Sequence, residues 1–174
     1  MSKDLTVSIV DRQNILNNSY AVQKIQENLG FNGFFWRDDC WFTKQQVAEL
    51  FDIELRTIER YIENNGKELK TNGYLVIRGV DLQEIKEVEL TDINVGRKAT
   101  SLGIFSFRAV LNLAMLLTES EKAKLLRSRI LDIVIDVLAE KAGGHTKYIN
   151  QRDTNYLIEA YKEESERQKF TTAL

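Results

Sequence analysis

A chain of 174 residues, 43% of them hydrophobic, is long enough to bury one good core or two small ones. Its net charge of −2 and pI near 5.6 exclude a protein that coats nucleic acid by bulk charge, so any DNA contact must come from a local patch. A single cysteine, Cys40, and a single histidine, His145, exclude an internal disulfide framework and a Cys/His structural zinc site, and no cofactor motif is present.

Residues 1–16 are weakly patterned and are expected to form an N-terminal arm. Ser19 to Leu29 reads as a helix, with Tyr20, Val22, Ile25 and Leu29 on or near one face and Gly30 as its stop. Aromatic residues then flank Asp38-Asp39 between Gly33 and Phe42. This predicts a short β-hairpin, with Cys40 as a small strand residue. Two helices follow at about 44–51 and 54–64, and Gly66 and Gly73 bracket a short charged piece. Tyr74–Arg78 reads as a strand and 81–88 as a helix.

The polar run 89–101 is expected to be a surface loop or boundary. Gly103–Phe107 is a strand entering a helix at about 107–117. Thr118 to Glu121 has the residues of a helix start, with Thr118 as the cap, and a long helix is expected over 119–141, ending at Gly143-Gly144. Its apolar side predicts core or a dimer seam. His145 lies in a glycine connector, and a last helix is expected at 153–170. No run approaches the roughly 20 apolar residues of a membrane span, and the N-terminus has no signal-peptide pattern, so a cytoplasmic location is expected.

The most informative stretch runs from Thr43 to Ile62. Thr43 and Gln46 have capping-box spacing. Ala48 is small where a second helix would cross, and Val47, Phe51, Ile53, Ile58 and Tyr61 suit the wedge between two helices. Asp52 stands where the turn needs a left-handed residue. This is the pattern of a DNA-reading helix-turn-helix. The residues placed at DNA are Arg56 and Arg60 for bases or phosphates, and Thr57 and Lys44 for the backbone. With Tyr74–Arg78 as half of a wing and the 34–42 hairpin as its strand partner, Lys67, Lys70 and Arg78 join the backbone contacts. Against this, residues 34–80 hold seven Lys or Arg and eight Asp or Glu, so phosphate affinity from this unit alone should be weak. Residues 95–130 are more basic, with Arg97, Lys98, Arg108, Lys122, Lys124, Arg127 and Arg129 against Glu119 and Glu121.

The run Trp41-Phe42-Thr43-Lys44-Gln45-Gln46-Val47-Ala48-Glu49-Leu50-Phe51, with Arg56-Thr57-Ile58, resembles the signature of the RhuM-type virulence proteins, a bacterial DNA-binding family. The stretch from Phe107 through Glu121-Lys122-Ala123-Lys124 to Leu131 resembles that family too, and also phage antirepressor domains. The resemblance covers about residues 34–140. It implies a DNA-binding regulator and a chain that continues beyond Leu174.

The expected fold is mainly α with small β. An arm and helix over 1–32 lead to a winged helix-turn-helix over 33–90 and a helical, dimerising domain over 91–174. The expected partners are double-stranded DNA and a second copy. The alternative is an antirepressor-like module whose helix-turn-helix is structural and whose acidic helix meets a protein. No nucleophile, base and oxyanion site assemble in this sequence, so an enzyme is not expected.

Overall fold

The computed structural model describes residues 4–88 and 99–141. The fold is mainly α with a small sheet. Its elements in chain order are α1 (Ile9–Asn17), α2 (Ser19–Leu29), β1 (Phe34–Trp36), β2 (Asp39–Thr43), α3 (Lys44–Phe51), α4 (Leu55–Thr71), β3 (Tyr74–Arg78), α5 (Gly79–Val88), β4 (Ser101–Ser106), α6 (Phe107–Leu116) and α7 (Glu121–Lys141).

The four strands form one antiparallel sheet in the order β1-β2-β4-β3. The β1–β2 hairpin turns on Arg37 and Asp38, both with positive φ, as a type I′ turn requires. The turn therefore sits one residue before the Asp38-Asp39 pair. The sequence reading makes this hairpin the partner of β3; instead β4 lies between them and pairs with both β2 and β3. The late strand is the more apolar one: Ile104 and Phe105 are fully buried, while β3 exposes Leu75 and Val76. A half-exposed strand suits an edge.

Alternation across the pleat gives the sheet two apolar faces. One carries Phe42, Tyr74 and Phe105 into the main core with α1–α4, α6 and α7. The other carries Phe34, Trp36, Ile77 and Ile104 under Leu82 and Ile85 of α5. The main core runs from Leu5 to Val137, so the segments expected as 33–90 and 91–174 share it. Each large side chain fully buried there contributes about 1.5–3 kcal/mol.

Packing corrects two expectations and extends a third. Residues 4–16 do not form an arm: Leu5, Ile15 and Leu16 are buried, and α1 docks on the core with Ser8 as its cap. The second helix of the 43–64 stretch breaks at its expected end, where Asn65 leaves the helical conformation, but beyond that kink α4 continues through Gly66 to Thr71. Glycine costs roughly 1 kcal/mol in a helix. Burial of Leu69 and an ion pair from Glu68 to Arg12 offset that cost, and the conflict appears as a kink at Asn65 (φ −124°, ψ 25°). Finally, Ser120, not Thr118, caps α7: its Oγ accepts from Ala123 N at 3.0 Å and donates to the Phe51 carbonyl at 2.7 Å.

Gly73, with φ 111°, marks the exit from α4. A Cβ there would lie 2.0 Å from Ser106 Oγ, which caps α6 by accepting from Ala109 N. Only glycine lets β3 and the start of α6 approach this closely.

Candidate nucleic-acid interface

The α3–α4 pair is held as the sequence predicts. Thr43 Oγ1 accepts from Gln46 N at 3.1 Å, and Gln46 Oε1 accepts from Thr43 N at 2.9 Å, closing the capping box. Asp52 takes the left-handed conformation (φ 52°, ψ 51°), and Ile53 N donates to the Ala48 carbonyl at 3.0 Å. Val47, Ala48, Phe51 and Ile58 are buried in the wedge, with Ile53 and Tyr61 half-buried beside them. Ser120 then ties the end of α3 to the start of α7.

Burial of Ile58 turns the opposite side of α4 to solvent. Arg56, Thr57 and Arg60 line one open concavity of about 530 Å³ there, together with Glu54, Glu59 and Glu63. Arg56 is exposed and no described residue pairs with it. Thr57 is half-buried. Arg60 is already engaged: its guanidinium donates to Glu119 Oε2 and lies 5.4 Å from the Tyr61 ring centroid. Tyr61 Oη donates to Glu119 Oε1 at 2.6 Å, and so does Thr118 Oγ1 at 2.6 Å. Partial burial raises the Glu119 carboxyl. The hydrogen bonds from Thr118 and Tyr61, with Arg60, outweigh that and hold it below the ordinary carboxylate range.

The remaining expected contacts are dispersed. Lys44 is half-buried, its stem beside Gly103 of β4 where a Cβ would lie 2.7 Å from Lys44 Cε. Lys67 and Lys70 are exposed on α4 beyond the kink rather than in a wing. Lys67 lines a separate cavity of about 610 Å³ with Ile9, Gln13 and Glu68. Arg78 is exposed at the end of β3.

The basic run at 95–130 does not form one free surface. Arg108 donates to Asn72 Oδ1 (3.0 Å) and Asn17 Oδ1 (2.8 Å). Arg127 donates to the carbonyls of Ala114 and Leu117. Lys122, Lys124 and Arg129 stay exposed. Arg97, Lys98, His145 and the expected 153–170 helix lie outside the described residues.

Sequence reading missed the Arg60–Glu119 contact. The only signal was an acidic residue in a polar turn, and nothing in the spacing brings positions 60 and 119 together. Among the described residues no cluster of His, Cys, Asp or Glu has the arrangement to hold a metal ion. No described helix is long and apolar enough to cross a membrane. Comparison of the chain with family models, with curated proteins and with solved structures finds no match.

Proposed function

We propose that this chain is a cytoplasmic DNA-binding regulator of the RhuM-like kind, with α3 and α4 as a helix-turn-helix and β3 as part of a wing. The observation that carries the reading is Arg56 with Thr57. They stand in the first turn of α4, on its solvent side, and the Arg56 guanidinium has no partner among the described residues. Residues in the first turns of a reading helix are the ones that reach base edges. Lys44, Lys67, Lys70 and Arg78 would add phosphate contacts around it.

The test is fluorescence anisotropy of the full chain with a random duplex pool across a salt titration. Binding that weakens steeply with salt is expected, with a shallower slope, by about one, for Arg56→Ala. Absence of binding at the lowest salt, or an unchanged slope in the variant, would overturn the assignment.

A second reading, an antirepressor-like module that binds a protein, is favoured by one specific feature. Glu54, Glu59 and Glu63 share the concavity with Arg56, and Arg60 is neutralised by Glu119. Co-purification of a repressor with no DNA affinity at low salt would select it.

A further inference from the structure

Helix α7 carries a charge pattern of which, among the described residues, only Glu140 is engaged, accepting from Tyr20 Oη at 3.2 Å. Lys122, Leu125, Arg129, Asp132, Asp136 and Glu140 fall within about 80° of its circumference at 3.6 residues per turn. All six are exposed, Leu125 by 69%. The basic members lie in the first half of the helix and the acidic ones in the second. Lys122, Arg129, Asp132 and Asp136 form no ion pair among the described residues. Asp136 has its carboxyl pushed up by burial, then by Asp132 and Glu140. Like charges four apart weaken an isolated helix by a few tenths of a kcal/mol. Beside the basic half, Leu29, Phe31, Leu50 and Leu126 wall an apolar trough of about 370 Å³ that leaves Leu125 uncovered.

We propose that this face of α7 is the seam of a symmetric homodimer, with α7 antiparallel to α7 of a second copy. The argument is self-complementarity. The charge changes sign between Arg129 and Asp132. Lys122 and Glu140 lie about 13–14 Å on either side of that midpoint at 1.5 Å per residue. A two-fold axis there sets Arg129 opposite Asp132 of the second copy, Lys122 within one residue of Glu140 and Leu125 opposite Asp136, each twice, as an isologous contact requires. A parallel arrangement would set like charges together. Exposed ion pairs add little affinity each. They select the orientation, while the half-buried Ile133 and the trough supply apolar contact. The proposal is independent of the DNA-binding reading, because α7 lies outside the α3–α4 pair.

Sedimentation of the full chain at micromolar concentrations tests it. A dimer is expected for the wild type and monomers for Arg129→Asp and for Asp132→Arg. An equimolar mixture of the two variants is expected to form a heterodimer, because opposite charges then face each other again. Leu125→Glu, also at an exposed position, is expected to be monomeric, and unchanged circular dichroism of each variant excludes unfolding. A monomeric wild type, a dimer that survives Arg129→Asp, or a mixture that stays monomeric overturns the proposal.

Discussion

Arg12 and Glu68 form a parallel, two-pronged ion pair: Arg12 Nε donates to Glu68 Oε2 and its terminal nitrogen to Oε1, both at 2.7 Å. The two side chains are only 7% and 9% exposed. Arg12 also donates to the Leu5 carbonyl, and Asn112 Nδ2 donates to Glu68, so α1, α4 and α6 meet on one carboxylate. Burial raises this carboxyl, but the Arg12 fork and Asn112 outweigh it and hold its pKa below the ordinary value. Stability from the pair is therefore present above the unfolded-state value of about 4.3 and lost as pH falls through the lower folded value. Glu68→Gln is expected to cost about 3–5 kcal/mol at neutral pH, since it strands a buried guanidinium. The variant should also show a shallower loss of stability below about pH 4. Thermal melts of both proteins across pH check this, and parallel curves would refute the role given to Glu68.

Ser120 has two tasks. It caps α7 and holds the Phe51 carbonyl at the end of α3. Ser120→Ala is expected to lower stability by about 1–3 kcal/mol, read by urea denaturation, because it removes a cap and leaves a carbonyl unsatisfied. Thr118→Ala at the position expected from sequence to be the cap should cost less. Equal losses would show that the cap is shared.

Glu119 engages Arg60 in an exposed ion pair. If α4 reads DNA, Glu119→Gln should raise duplex affinity several-fold and steepen its salt dependence, since one more guanidinium becomes free for phosphate. Anisotropy with the duplex used for Arg56→Ala measures this, and unchanged affinity would place Arg60 outside the DNA contact.

Local rules written into adjacent residues were legible from sequence. The Thr43–Gln46 capping box, the left-handed Asp52 and the buried Ala48 all depend on residues within a few positions of one another. What sequence could not give was long-range pairing. α1 looked structureless because its buried side includes Asp11 and Arg12, which break the apolar pattern. Arg12 tolerates burial only because Glu68 waits 56 residues later. The break in α4 at Asn65 is where the sequence puts a helix end, but the continuation past it is not legible: Leu69 and Glu68 hold the segment after Gly66 through contacts no window contains. The site suffered in the same way. Arg56 and Thr57 do share a solvent face as spacing implies, but Arg60 is claimed by a distant carboxylate, and Lys67 and Lys70 ride an unexpected extension of the helix.

The position of β4 has a consequence for how the chain is made. β2 ends at Thr43 and β3 at Arg78, yet the strand that joins them does not begin until Ser101. On the ribosome, the α3–α4 unit therefore emerges with two bare strand edges beside it and without the Ile104–Phe105 floor of its sheet. Such edges invite pairing with other chains until the missing neighbour arrives. A transcript broken before codon 101 is expected to yield a product exposed to aggregation and proteolysis, so the fold itself makes a closed sheet conditional on complete translation of its middle strand.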